Sequence, residues 1–390
     1  MPTSSPGNRP GRQPTSTPAG ASPGVSETAA IGRLAFADGL RGLAALWVVL
    51  FHASGGGHLE RVKALLPAPA AKWVFEMGEL GVPIFFVLSG FVMALTVDSA
   101  SVGAAFAWRF VARRLVRLTP PYWFAIAVAL GFALLKAGVL HQPPKLPSAA
   151  DLLAHLVYLQ GVFEATLINP VDWTLGVEVQ FYIAFALLMM VADTLQRRGV
   201  LRQARLVVGG LSALVALAWP AGWAHGPGWP GGFLPFWFSF MAGVLACWSW
   251  RERGAHAVLF WAFIAALAVA AGVDPSAFAT AAIVAAVALS VAGMRGAMNR
   301  WLNLPALQFI GLVSYSLYLL HNPLTGSGFN VINRVLPPSW FAEAVGLAGT
   351  LAICLVCSYL AYRFVEQPSQ RWSRLIALGR AKRSAALRTA

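Results

Sequence analysis

Of the 390 residues, 58% are hydrophobic and only 11% charged, with a mean hydropathy of +0.65; a soluble domain carries about 25% charged residues, so a water-facing globular fold is excluded. The net charge of +14 does not point to nucleic acid, because the basic residues fall in short clusters between apolar runs, the positive-inside pattern. Continuous Ala-, Leu- and Val-rich runs without period-two alternation exclude a β-barrel and require helices long enough to cross a bilayer core about 30 Å thick.

Residues 1–32 are rich in Pro, Gly, Ser and Thr and hold no apolar run, so the sequence predicts a disordered N-terminal tail that is not a signal peptide. Ten spans are then expected near 35–55, 74–97, 119–140, 173–193, 206–222, 232–250, 255–272, 276–294, 305–322 and 341–364. Segment 149–163 is apolar but short and reads as a re-entrant or interfacial helix. Residues 376–390 form a basic tail. With the N-terminus cytoplasmic, 22 of the 29 Lys and Arg lie on the inner side and 6 on the outer. The fold expected for residues 33–375 is therefore all-α: a polytopic membrane bundle of about ten transmembrane helices, both termini cytoplasmic. Cys247, Cys354 and Cys357 lie inside apolar runs without His partners, so they read as small core hydrophobes and no metal site is expected.

Ionisable side chains inside spans are costly and mark candidate sites. Arg41 and His52 lie eleven residues apart in DGLRGLAALWVVLFHA, which puts them on one helix face about 16 Å apart along the axis. A neutral imidazole near the outer end is the usual general base for an alcohol. Arg113, Arg114 and Arg117 in RRLVRLTPPYW read either as positive-inside anchors or, with Arg41, as a bidentate phosphate site. In VDWTLGVEVQFY, Asp172 and Trp173 fall at the outer mouth of the fourth span, Asp172 reading as a helix cap, and Glu178 shares a face with Tyr182. A His52–Glu178 pair is expected. His321, which closes SYSLYLLHNP, either binds the acceptor or packs, while Tyr315 and Tyr318 read as interface aromatics. Ser89 lacks a nucleophile elbow and reads as a packing position. Glu366 is expected to pair with Arg363 or Arg371, and His155 has no surroundings that single it out.

Taken together and in order, Arg41-x10-His52, FFVLSGF at 85–91, RRLVRLTPPYW, WTLGVEVQFY, SYSLYLLHNP and VEQPSQRW resemble the acyltransferase-3 family over residues 35–375. The resemblance implies transfer of an acyl group, commonly acetyl, from cytoplasmic acyl-CoA to a hydroxyl of a cell-surface glycan or glycosylated metabolite, in the bacterial inner membrane. It maps the family's motif residues onto Arg41 and His52, Glu178, and Arg113, Arg114 and Arg117. Pro83 stands where many relatives have an acid, and the chain reads as a stand-alone form without an esterase-like domain. His52 and Glu178 are thus the expected catalytic pair, the four arginines hold acyl-CoA, and His321, Trp173, Asp172 and Tyr182 are candidates for the acceptor. No bound cofactor is expected; acetyl-CoA is the first candidate donor, and the subunit number is left open. The rival reading is a transporter or exporter of acyl groups or sugars.

Overall fold

In a computed structural model, residues 34–224 and 232–378 are described, together with Met1. The predicted tails at 1–32 and 376–390 fall almost wholly outside the described residues. Among those described there is helix and no strand. The principal helices are α1 (Ala35–Ser54), α2 (Gly81–Val97), α3 (Ala104–Leu140), α4 (Ala149–Leu156), α5 (Trp173–Arg197), α6 (Ala204–Ala216), α7 (Trp237–Arg251), α8 (Ala255–Val273), α9 (Ala277–Met294), α10 (Pro305–Val335), α11 (Trp340–Ala361) and α12 (Gln367–Leu375). Each of the ten expected spans overlaps one of these helices. Among the described residues, seven stretches are long and apolar enough to cross a membrane; α6, α7 and α10 lie outside that measure, α6 and α7 because they are short. The chain is a multi-pass helical membrane protein.

Helix α3 begins well before the expected boundary and carries Arg113, Arg114 and Arg117 inside a 37-residue helix with Pro120 and Pro121 in its interior. A proline removes the N–H that would pair with the carbonyl four residues earlier. In lipid such a carbonyl needs a substitute donor. For Pro121 the freed carbonyl is that of Arg117, and Ser369 Oγ of α12 donates to it at 2.9 Å. The Tyr315 hydroxyl of α10 donates to the next carbonyl, Leu118 O, also at 2.9 Å. The same logic operates at Pro323 in α10, which frees the Leu319 carbonyl, and Asn169 Nδ2 fills it at 3.0 Å. The prolines thus dock α12 and α10 against the arginine turn, and the 157–172 segment against α10.

Small residues set the helix crossings. Pairs α1–α10 and α2–α7 pack backbone to backbone, so that a Cβ at Gly243 would lie 1.9 Å from Val87 O and one at Gly311 would lie 2.1 Å from Asp38 O. Such close approach is how membrane helices gain packing without a solvent-driven force. Gly311→Val is therefore expected to push α10 off α1 and to abolish both folding yield and activity, read as loss of a monodisperse peak in detergent. Around the α2–α7 contact lies an aromatic core in which Phe181 and Phe240 stack at 3.9 Å.

One buried ion pair fastens the end of the bundle that carries the arginine clusters, called the basic end below. Arg205 binds Asp193 through Nε (2.7 Å) and Nη2 (2.9 Å) and donates to the carbonyls of Val97, Asp98 and Ala100. Asp193 also accepts from the Val102 backbone N–H at 2.7 Å. Removing one member leaves the other charged, buried and unpaired. Asp193→Ala is expected to cost about 3–5 kcal/mol, seen as a lowered unfolding temperature of the purified protein.

Candidate active site

Helix α1 turns Arg41 and His52 into the bundle. At the basic end Arg41 lies within electrostatic reach of Asp38, Arg117, Glu178 and Glu366. At the opposite, far end the His52 ring meets that of His321 edge-on, with centroids 4.9 Å apart. His52 Nδ1 lies 3.0 Å from Val48 O. A carbonyl only accepts, so Nδ1 carries the proton and Nε2 is left with its lone pair. Glu178 is not among the partners of His52, and the expected His–Glu pair is not formed. The four-residue step back to Val48 orients the imidazole instead.

The arginines of α3 divide between two faces. Arg114 sits over the rings of Phe110 and Tyr182, 5.8 Å from each centroid, and donates to Thr96 Oγ1 at 3.2 Å. Arg117 neighbours Arg114, Arg41 and Glu366, while Arg113 faces Arg374 of α12 and Arg117. Arg41, Arg114 and Arg117 therefore converge, and Arg113 flanks them. Glu366 departs from expectation. It sits in a π-helical turn, Tyr362–Glu366, between α11 and α12, a distortion common at functional sites. Its carboxylate, 2% exposed, accepts from Ser316 Oγ (2.7 Å) and Gln370 Nε2 (2.9 Å). Arg363 and Arg371 do not pair with it: both donate to Gln367 Oε1.

Glu178 occupies the middle of the bundle. Its Oε1 accepts from Ser89 Oγ at 2.6 Å and from the Tyr182 hydroxyl at 2.5 Å. Tyr182 consequently belongs with Glu178 and Arg114. Ser89, read from sequence as a packing position, is a hydrogen-bond donor to the buried acid. Only the helix-face match between α2 and α5 reveals this. Trp173 packs its ring against Phe236 at 5.1 Å and Phe86 at 6.3 Å.

The far end holds a polar cluster of which sequence reasoning singled out only Asp172. Asp172 stands at the N-cap position of α5 but makes no capping hydrogen bond, so the cap reading fails. It is 1% exposed, and burial pushes its carboxyl up to about 7 against a downward pull from the Asn169 backbone. Its Oδ2 lies 3.7 Å from His155 Nδ1. His155, fully buried on α4, faces Thr166 O with Nε2 (3.1 Å) and the Tyr122 hydroxyl with Nδ1 (3.0 Å). Nε2 therefore carries the proton, and Tyr122 donates to Nδ1. Gln160 Nε2 donates to Asp172 O at 2.9 Å. Tyr158, at φ 63, is a bulky residue held in the left-handed region by its hydroxyl bond to Thr119 and its stacking on Tyr122. Tyr318 is no interface aromatic: it is buried, with its hydroxyl 2.9 Å from Thr174 Oγ1. Tyr315 likewise turns inward to Leu118 O.

A cleft of about 620 Å³ opens at the basic end, lined by Asp98, Asp193, Arg202, Arg205, Glu252 and His256 among others. Acids and bases alternate there and Arg205 is used up in internal bonds, so the cleft offers a weaker anion site than the Arg41–Arg114–Arg117 group.

A membrane-embedded helical bundle with converging arginines at one end and imidazoles at the other defines a class of multi-pass membrane enzyme. The family model described as an acyltransferase domain, Acyl_transf_3, matches residues 34–359, and the chain belongs to this family of acyltransferases. A membrane-bound transacylase, BcsY of Komagataeibacter xylinus, is 30% identical over 90% of this chain and 86% of its own length. An exopolysaccharide production protein, ExoZ of Rhizobium meliloti, is 33% identical over 29% of this chain and 34% of its own. The O-acetyltransferase OatA of Staphylococcus aureus is 28% identical over 39% of this chain and 24% of its own. No solved structure matches the chain.

Proposed function

We propose that this acyltransferase moves an acyl group, acetyl in the first place, from acyl-CoA at the basic end to a hydroxyl of a glycan or glycosylated metabolite at the far end. The basic end is cytoplasmic and the membrane is the bacterial inner membrane. The carrying observation is the inward orientation of two polar groups of α1, Arg41 beside Arg117, Glu178 and Glu366, and His52 against His321. The names of two relatives, an O-acetyltransferase and an exopolysaccharide production protein, support acetyl and glycan as the two substrate parts.

Arg41, Arg114 and Arg117, flanked by Arg113, bind the donor's phosphates, since guanidinium forks match phosphate oxygens. The acceptor O–H gives its proton to His52 Nε2 as its oxygen attacks the thioester carbonyl. The C–O bond forms, the C–S bond breaks, and the imidazolium returns the proton to the thiolate. Glu178, tied to Ser89 and Tyr182, holds the middle of the path and offsets the arginine charge; it does not orient His52.

Incubating purified protein in detergent with labelled acetyl-CoA and a panel of glycans tests this reading. Label in acceptor without a sealed membrane is the expected result. Transport of label into proteoliposomes, with no transfer in detergent, would replace the enzyme by an exporter.

A further inference from the structure

Eight buried side-chain polar atoms lack a hydrogen-bond partner among the described residues. Four of them are donor-capable groups, Trp219 Nε1 and the hydroxyls of Ser239, Thr350 and Ser358. The other four are Gln160 Oε1, Asn169 Oδ1 and His321 Nε2, which are acceptors, and Asp172 Oδ2, which accepts when its carboxyl is ionised. The assignment follows from their partners. Gln160 and Asn169 each spend an amide N–H on a backbone carbonyl, Asp172 O and Leu319 O. His321 Nδ1 lies 3.1 Å from Leu317 O and 2.8 Å from Tyr318 O, so the ring proton is there and Nε2 keeps a bare lone pair.

Hydrogen bonds tie the residues that carry these atoms to adjoining stretches of the chain. Asn169 is bonded to α10 two residues before His321, and Gln160 is bonded to Asp172. All four residues are at most 3% exposed. Local donors are already committed: the Tyr122 hydroxyl goes to His155, the His155 N–H faces Thr166 O, and Tyr318 and Thr174 face each other. A cluster of buried acceptors without donors demands a partner rich in O–H groups. Phosphates bring only acceptors, and the pantetheine arm of acyl-CoA brings two amide N–H groups and a single O–H. Sugars bring rows of hydroxyls.

We propose that Gln160 Oε1, Asn169 Oδ1, Asp172 Oδ2 and His321 Nε2 form the subsite that binds the hydroxyl groups of a sugar acceptor, placing the reacting hydroxyl at His52. The inference rests on the acyl-transfer reading above and names the residues that recognise its acceptor.

Maltotetraose and 1-hexanol make a decisive pair of probes. Each offers a primary hydroxyl for acetylation, but only the sugar offers further O–H donors. In Gln160→Leu and Asn169→Leu, the ratio of kcat/KM for maltotetraose to that for hexanol is expected to fall about three- to tenfold, one lost neutral hydrogen bond in each case. An unchanged ratio in both variants overturns the subsite. In the unmodified protein, amide exchange across residues 157–172 is expected to slow with maltotetraose and not with hexanol. Equal exchange with both probes means the acceptors face water only, and the proposal falls. Acetylation of hexanol without any sugar effect leaves the acyl-transfer reading standing, whereas no acetylation of any hydroxyl probe removes that reading itself.

Discussion

His52→Ala is expected to lower acyl transfer by about 10²–10⁴-fold, the span ascribed to a positioned general base. The prediction follows from the tautomer. Val48 O holds the Nδ1 proton, so Nε2 is the basic atom, and the α1–α10 pair has its close backbone contact at Gly311 and Asp38, away from His52. Expression level and unfolding temperature should therefore stay near those of the unmodified protein while labelled acetyl fails to reach acceptor. Near-normal acetylation by this variant would defeat the assignment. It would shift the base to His321, whose ring lies 4.9 Å away.

The second large effect concerns the donor. Arg41→Ala is expected to weaken acyl-CoA binding by about 2–5 kcal/mol, the cost of truncating one partner of a buried hydrogen-bonded charge pair. That range is roughly 30- to several-thousand-fold in KM for acyl-CoA, with a smaller change in kcat. Arg41→Lys should recover part of the loss, because an ammonium supplies charge without the two-pronged fork. Because Arg41 also faces Glu178 and Glu366, the purified variant must first be shown to be folded. An unchanged KM for acyl-CoA in a folded Arg41→Ala protein would remove the phosphate reading.

The same α1 face shows how much of the site was legible in advance. Eleven residues of helix fix the relative direction of Arg41 and His52 whatever surrounds them, so their common orientation was readable. What each side chain meets is a matter of neighbouring helices. Glu178 was expected beside His52 because both lie toward the far end of their spans. The rotation of α5 instead turns it to Ser89 on α2 and Tyr182 on its own next turn. Glu366 was assigned to the nearest arginines in sequence, but the π-helical turn rotates it away from them toward Arg41 and Arg117. His155 carried no signal at all, since a lone histidine in a short apolar segment becomes notable only when Tyr122 and Asp172 arrive from elsewhere in the chain.

Composition and periodicity alone determined that this protein lives in a bilayer as helices, because hydrophobic length and the need to close every backbone hydrogen bond are local properties of the chain. The order of the motifs likewise set the family and, within α1, the pairing of an arginine with a histidine on one face. Only the tertiary structure decided which polar groups meet. The carbonyls freed by Pro121 and Pro323 are filled by Ser369 and Asn169, 252 and 150 residues away in the chain respectively. Hydrogen bonds of that span depend on how helices cross and rotate, and crossing is fixed by close contacts such as Gly243 on Val87 and Gly311 on Asp38, to which no single segment of sequence is sensitive.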